Sequence, residues 1–372
     1  MQDVFHQIVL ARRDEDLGDV DAAVAGAEEL AGELRLQASS LWASAGRSVT
    51  EIGFSGHIDR LAEGLPMIAD VIFAPGFNED DWSRVVERNV QGYRQLVQDG
   101  QKLARSFDQY FLYGHDHPLG TPHGGVPSTI QELDRDQTRA WHEGRLSAEQ
   151  VNIVVVGDLT LEEASSLLDT HLTGWSEVSF VAPEVPDLEI LPGQGQLLLL
   201  DQPGAQQTAI RVLSQAHEPG AEVAAAADLA GVALGGSFTS RLNGLMRETK
   251  GYTYGARSGF YEGLHGGMFS ASSSVRTDAT VEAMVDMSSV LVGALQGFEP
   301  EELSKAKGQV RNDALDAHAS RGAMASALSA LMARDLGPDG LIENLASRES
   351  VTLEQMNSAA YLAIPERGLT LL

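Results

Sequence analysis

The sequence predicts an α+β protein of two related domains, each a mostly antiparallel sheet with helices packed on one face. One unit, a polar cap followed by a short helix, a break and an apolar strand, occurs at residues 133–159 and again at 351–372. A unit that recurs in each half of a chain indicates a duplicated domain. Residues 176–196 hold three prolines and little helical periodicity, which is typical of a linker. We therefore expect one domain at residues 1–185 and another at 186–372.

The first half contains patterns for two strands and two helices. Residues 38–58 alternate between polar and apolar side chains, which predicts two paired strands. A long helix is expected after Asn78, because its apolar residues recur at helical spacing. These residues are Trp82, Val85, Val86, Val90, Tyr93 and Val97. A second helix is expected after Thr160, which forms a capping-box pattern with Glu163.

The second half alternates between predicted strands and helices. The strands are expected at residues 196–202, 207–216 and 267–277. A helix at residues 224–236, between the second and third of these strands, ends at the glycine pair Gly235 and Gly236, since glycine is a common helix terminator. Another helix covers residues 281–295, and a further one begins at Pro300, a favoured first position. The apolar face of the helix at 281–295 is predicted to consist of Val281, Met284, Val285, Leu291, Val292 and Leu295.

Composition excludes several classes of function. The formal charge is −27, from 26 basic and 53 acidic residues. Such an acidic chain is a poor ligand for nucleic acid or for an anionic membrane surface, both of which need clustered Lys and Arg. The sequence has no cysteine, which rules out disulfides and thiolate zinc sites. Its apolar runs are far shorter than the roughly 20 residues that span a bilayer.

Several stretches together resemble one protein family. The run "LGGSFTSRLNGLMRETKGYTYGARSGF" is similar to the signature of the second domain of M16 peptidases, the superfamily of insulinase, pitrilysin and the mitochondrial processing peptidase. The stretches "VIFAPGFNEDDWSRV", "LYGHDHPLGTP" and "VNIVVVGDLTLEEASSLLDTHLTGW" resemble other parts of the family in the family's order. The resemblance covers almost the whole chain. It implies an M16B-like bacterial member whose first domain lacks its N-terminal strands here.

The zinc motif of that family is absent from this sequence. The family carries His-x-x-Glu-His on a helix, where the two histidines share one face and bind one metal ion. No two histidines of this chain are spaced in that way. In the alignment we prefer, Gln2, Phe5 and His6 occupy the motif positions, and the third ligand position falls at Gly92, or at Gln91 if the register shifts by one residue. A second alignment places residues 29–33 there and supplies no histidine. The resemblance therefore implies that this chain binds no zinc itself.

The motif Arg-Glu-x-x-Gly-x-x-Tyr is retained. The resemblance implies that its Arg and Tyr, which are Arg247 and Tyr254 here, bind the substrate backbone opposite the zinc. A guanidinium can donate to a peptide carbonyl, and a phenol can donate to the carbonyl at the cleaved bond. The residues alone leave another interpretation open, in which Arg247 pairs with Glu248 or Glu262 and Tyr254 is a core residue of a strand.

Three functions follow from the resemblance. In the first, this chain is the zinc-less subunit of a heterodimeric peptidase, whose partner carries His-x-x-Glu-His and the zinc, and both chains enclose a peptide. In the second, it is an assembly subunit without a substrate, like the core proteins of respiratory complex III, with Arg247 and Tyr254 as relics. In the third, it is a peptidase with unusual ligands such as His6, Glu29 and Glu33. Export of bacterial members favours the periplasm over the cytoplasm.

Overall fold

The computed structural model describes residues 26–36, 38–46, 49–114, 117–175, 197–216, 221–263, 266–316, 318–364 and 370–371. The motif positions Gln2, Phe5 and His6 and the expected linker at 176–196 lie outside these residues. The chain divides into two compact units. The first unit comprises Met1–Tyr93, His123–Glu184 and Met324–Asp335, and the second comprises Arg94–Pro122, Val185–Ala323 and Leu336–Leu372.

Helices and small antiparallel sheets make up the structure, so the predicted α+β class is confirmed. The helices up to residue 175 are α1 (Gly26–Leu36), α2 (Leu61–Phe73), α3 (Glu79–Gln98), α4 (Gly100–Ser106), α5 (Asp108–Tyr113), α6 (Pro127–Gln131), α7 (Arg135–Glu143) and α8 (Leu161–His171). Strands β1 (Ser40–Ala45) and β2 (Thr50–Ser55) form an antiparallel pair. None of the helices within the described ranges has the length and hydropathy of a membrane-spanning helix.

The local patterns of the first half are confirmed by the structure. The pair β1–β2 is the predicted strand pair. Helix α3 begins directly after Asn78, as expected, and the backbone N–H of Trp82 donates to the Asn78 carbonyl at 2.9 Å. The capping box before α8 is present, because the Thr160 hydroxyl accepts from the Glu163 backbone at 3.2 Å and the Glu163 carboxylate accepts from the Thr160 backbone at 2.8 Å. These elements depend on neighbours in sequence alone.

Two predicted strands are wrong. Residues 151–156 belong to no strand ladder, and 197–202 contribute only an isolated bridge residue at Leu197. Both segments are apolar enough for a strand, but a strand also needs a neighbour for its backbone N–H and C=O groups. No strand of the described ranges pairs with either segment along its length. Ile153 and Val155 are consequently 43% and 46% exposed.

The second unit contains a four-stranded antiparallel sheet. Its strands are β3 (Gln207–Ala216), β4 (Ala256–Gly263), β5 (Gly266–Arg276) and β6 (Thr370–Leu371), in the order β4-β5-β3-β6. The remaining helices are α9 (Ala221–Gly231), α10 (Thr280–Ala294), α11 (Pro300–Asp316), α12 (Arg321–Met332), α13 (Gly340–Ser350) and α14 (Leu353–Ala363). The strands predicted at 207–216 and 267–277 and the start of a helix at Pro300 are confirmed. Fully buried side chains from the sheet and helices form the core, among them Phe269, Leu229, Met287 and Met356.

The predicted apolar face of helix α10 is confirmed only in part, because Leu291 and Leu295 are buried and Met284 packs against the core. Its buried residues are Ala283, Met287, Leu291 and Ala294. Three predicted core residues, Val281, Val285 and Val292, are instead 69%, 63% and 46% exposed, and they form a valine stripe. The two faces are both apolar, so periodicity alone does not choose between them. The buried face carries two alanines, which let the helix approach β3 and β5 closely.

Candidate functional site

The residues of the Arg-Glu-x-x-Gly-x-x-Tyr motif lie in the second unit, at a helix end and the loop after it. Arg247 belongs to the π-helical segment Asn243–Thr249. The wide turns of this segment appear in its hydrogen bonds, because the Lys250 N–H reaches the carbonyl of Leu245 at 2.9 Å. Such turns are rare and are often found at functional sites. A second π-helical segment, Val232–Gly236, extends α9.

Gly251 ends the helix of Arg247 and turns the chain. Its φ of +64° is in the left-handed region, where glycine has no steric cost. The N–H of Gly251 donates to the carbonyl of Arg247 at 3.1 Å, and the N–H of Tyr252 donates to that of Met246 at 2.9 Å. The arrangement is similar to the glycine caps common at helix C-termini. The glycine of the motif thus fixes how the loop that carries Tyr254 leaves the helix.

The loop between Gly251 and β4 is held by contacts on both sides of Tyr254. The Tyr252 hydroxyl donates to the Asp286 carboxylate of α10 at 3.1 Å, and Lys250 pairs with the same carboxylate at 3.5 Å. Burial, and then the Asp286 carboxylate, raise the pKa of Tyr252. The Thr253 hydroxyl accepts from the Gly255 N–H at 3.1 Å. The backbone around Tyr254 is therefore ordered by its neighbours.

Asn243 connects this loop to the helix and is not among the predicted site residues. Its buried amide donates to the carbonyl of Ala256 at 2.9 Å and accepts from the N–H of Ala256 at 2.8 Å. It also donates to the carbonyl of Ser237 at 2.9 Å. The one signal for it in the sequence is its position directly after Leu242, a residue that the structure shows to be fully buried. The sequence does not reveal its partners, because Ala256 is thirteen residues away.

Arg247 is held by two side chains, which leave its terminal amino groups without a hydrogen bond to any described residue. Its Cζ lies 4.1 Å from the centroid of the Phe238 ring, and its Nε lies 3.2 Å from Oε1 of Glu248. The pairing with Glu248 matches one part of the alternative interpretation. The Arg247 side chain is 36% exposed. Apart from the ion pair at Nε, its guanidinium has no polar partner among the residues that the structure describes, so the N–H groups of its terminal nitrogens are available to a ligand.

Tyr254 is 91% exposed and lies in the loop before β4. The interpretation of Tyr254 as a core residue of a strand is therefore wrong. The reason is that β4 begins at Ala256, where the Asn243 amide binds the backbone, and Tyr254 precedes that point. Within the described ranges, the Tyr254 side chain has no hydrogen bond or ring contact. The structure presents a large aromatic side chain to solvent on an ordered loop.

The arginine of the Ser-Arg-Leu motif has a structural role. Arg241 donates to both carboxylate oxygens of Glu302 at 2.6 Å and to the carbonyl of Gly297 at 2.8 Å. Its guanidinium also lies over the Phe298 ring, 4.7 Å from the centroid. Burial raises the pKa of Glu302, but the hydrogen bonds from Arg241 and from the Glu299 backbone outweigh it and hold the pKa below its usual value. Arg241 therefore joins the motif to the start of α11.

The position that the resemblance assigns to a third zinc ligand is Gly92. It lies on the exposed side of α3, and it has no side chain that could bind a metal ion. Across the described ranges, no three His, Cys, Asp or Glu side chains are grouped so that they could hold a metal ion. Of the predicted site residues, Arg247 thus lies at the end of a helix and Tyr254 lies in the loop that follows it.

Comparison with known proteins identifies similar proteins by sequence. Residues 132–310 match the family model described as the peptidase M16 inactive domain. A protein of Mycobacterium leprae (strain TN), named as an uncharacterized zinc protease, is 26% identical over 309 residues. The match covers 82% of this chain and 68% of that protein. The matched segment includes the loop with Arg247 and Tyr254.

Comparison with solved structures identifies the fold. The peptidase M16 inactive domain from Pseudomonas fluorescens has a TM-score of 0.84 and 20% identity, covering 98% of this chain and 85% of that one. A protease from Helicobacter pylori has a TM-score of 0.83 and 14% identity, covering 98% and 86%. The predicted resemblance is confirmed: this chain has the fold of the M16 peptidases, and its residues 132–310 match the model of the M16 inactive domain.

Proposed function

We propose that this chain is the non-catalytic subunit of a heterodimeric M16B-type zinc peptidase, in which Arg247 and Tyr254 bind the peptide substrate opposite the partner's zinc. The observation that supports this most is the 91% exposure of Tyr254 on an ordered loop. An aromatic side chain on a preorganised backbone loses little conformational freedom on binding. Such residues contribute much of the binding energy at interfaces.

The chemistry of the two side chains suits a peptide backbone. The terminal N–H groups of Arg247 can donate to one carbonyl oxygen of an extended peptide, and the Tyr254 hydroxyl can donate to another. Extended peptides commonly bind along the edge of a sheet, and β4, which follows Tyr254, is an edge strand among the described strands. The zinc, and the His-x-x-Glu-His motif that binds it, would belong to the partner subunit.

Substitution of the two residues tests this proposal. Arg247→Ala is expected to lower peptide cleavage by the mixed subunits about 10- to 100-fold, because hydrogen bonds from a charged donor are lost. Tyr254→Phe removes only the hydroxyl and should lower cleavage about 5- to 10-fold. The measurement is kcat/KM for a fluorogenic peptide, with this chain and its zinc-carrying partner mixed in equal amounts.

Two exposed residues of the second unit serve as matched controls. Lys305 of α11 pairs only with Glu301 within the described ranges, and Tyr110 of α5 is 44% exposed. Lys305→Ala and Tyr110→Phe should leave cleavage unchanged. The proposal fails if the zinc chain alone is fully active and Arg247→Ala changes nothing in the mixture. That result would instead favour an assembly subunit without a substrate.

A further inference from the structure

The surroundings of Arg247 determine which acceptor its guanidinium can bind. The Phe238 ring covers one face of the guanidinium, with Cζ 4.1 Å from the ring centroid. Glu248 lies at the Nε edge, where its Oε1 is 3.2 Å away. Neither contact uses the terminal amino groups, which have no hydrogen bond to any described residue. The donors are therefore held in place without being occupied.

Glu248 also changes the charge that a ligand meets. A lone guanidinium prefers a carboxylate, which accepts two parallel hydrogen bonds from it. Beside Arg247, the Glu248 carboxylate cancels the positive charge and repels a second carboxylate at close range. A neutral carbonyl oxygen is not repelled in this way, and it still accepts a hydrogen bond from an ionised donor. The formal charge of −27 acts in the same direction at longer range.

We propose that Glu248 makes the Arg247 site selective for an uncharged carbonyl oxygen, so that peptides with a carboxylate at this point bind more weakly. The proposal rests on the peptide-binding role given above. In it, Glu248 is a specificity-determining residue. Phe238 is a positioning residue, because an aromatic face stabilises a guanidinium stacked on it and limits its orientations.

A peptide library tests the selectivity. The probe is a library of N-acetylated, C-amidated nonapeptides with randomised positions, incubated with the full chain, and the bound fraction is analysed by mass spectrometry. Glu248→Gln should raise the share of Asp and Glu in the bound peptides about three- to fivefold, the size expected for an exposed charge pair. Glu343→Gln, at an exposed carboxylate of α13, controls for the loss of one negative charge. If the peptides bound by Glu248→Gln contain the same share of Asp and Glu as those bound by Glu343→Gln, the proposal is wrong.

A titration with acetate tests the site without any peptide. The NMR signal of the Arg247 Nε–H should respond to acetate in Glu248→Gln at concentrations at least threefold lower than in the unsubstituted protein. The same response in both proteins, or none in either, would overturn the proposal. Phe238→Leu should weaken binding of the whole library about two- to fivefold, and Phe238→Tyr should restore it. If Phe238→Leu binds the library as well as the unsubstituted protein does, Phe238 does not position Arg247 for binding.

The two proposals fail in different ways. If Arg247→Ala binds as much of the library as the unsubstituted protein, the peptide-binding role of Arg247 is wrong. If Arg247→Ala loses binding while Glu248→Gln leaves the bound composition unchanged, the role of Arg247 stands and the selectivity of Glu248 is wrong. In both cases the acetate titration separately tests whether Glu248 weakens the binding of a carboxylate at Arg247, because it uses no peptide.

Discussion

The Asn243 side chain forms the pair of backbone hydrogen bonds that a neighbouring strand would otherwise form with the start of β4. Its amide exchanges two hydrogen bonds with Ala256, at the first residue of β4. The pair fixes where β4 begins and therefore how far Tyr254 lies from the helix of Arg247. Because Asn243 is only 7% exposed, water cannot easily replace the amide if it is removed.

Asn243→Ala is expected to lower the free energy of unfolding of the second unit by about 2–4 kcal/mol, since the Ala256 backbone would be left buried and unpaired. Chemical denaturation measures the loss, and amide hydrogen exchange should show faster exchange at Ala256. Asn312→Ala, on the exposed side of α11, should change the stability by less than about 0.5 kcal/mol. If the Ala256 amide exchanges as slowly in Asn243→Ala as in the unsubstituted protein, this role of Asn243 is wrong.

The sequence locates Arg247 and Tyr254 but not their surroundings. A motif records which residues occur at which spacing, so both positions follow directly from it. The contact between Arg247 and Phe238 forms across the turn between two π-helical segments, and periodicity does not predict such segments. The exposure of Tyr254 depends on the point where Asn243 binds the loop, which is a tertiary contact.

The packing of the helical segment Val232–Gly236 on β4 requires that Gly235 has no side chain. A Cβ at this position would lie 2.4 Å from the backbone nitrogen of Ser258 in β4. The helix that extends α9 therefore packs directly on the strand backbone. The sequence marks Gly235 and Gly236 as a helix end, which is correct, but the close approach at Gly235 appears only in the structure.

Gly235→Ala should lower the free energy of unfolding by about 1–3 kcal/mol or more, because the strand or the helix must move to admit the methyl group. Gly244 is the matched control, since it also lies in a π-helical segment but a Cβ there meets nothing within 4 Å. Gly244→Ala should be neutral or stabilising by up to about 1 kcal/mol. Thermal unfolding of both variants measures the difference, and equal effects would show that the contact with Ser258 is unimportant.

Elements that depend on local signals are those the sequence predicts well. The hairpin β1–β2, the capping box of α8 and the strand β3 all follow from residues close in sequence. The expected strands at 151–156 and 197–202 fail because pairing depends on a partner elsewhere in the chain. The predicted face of α10 is wrong at Val281, Val285 and Val292 because both sides of the helix are apolar, and the sheet it packs on determines which side is buried.

At the scale of the whole molecule, stability depends on a buried histidine of the first unit. His142 is 3% exposed, and its Nε2 donates to the Ile72 carbonyl at 2.8 Å. Burial lowers the pKa of His142, against smaller opposing effects of the Ile72 carbonyl and Glu143. The unfolded chain therefore binds a proton near pH 6.5 that the folded chain does not, and folding is favoured above that pH.

We expect the free energy of unfolding to fall as the pH drops below about 6.5, by up to about 1.4 kcal/mol per pH unit until the lower pKa of folded His142 is reached. Denaturation of the unsubstituted protein and of His142→Gln at pH 7.5 and 5.5 measures this loss. The variant should lose less stability over the interval. His318→Gln, at an exposed histidine after α11, is the control and should behave like the unsubstituted protein. Identical pH dependence in all three proteins would contradict the prediction.

The valine stripe of α10 affects the solubility of the protein. Val281, Val285 and Val292 expose apolar surface on a chain with a formal charge of −27. In dilute buffer the negative charge keeps copies apart, but at about 0.1 M salt that repulsion is screened beyond roughly 10 Å. Sulfate and similar salts also strengthen the association of apolar surfaces. The outer face of one helix therefore lowers the salt concentration at which this acidic protein precipitates.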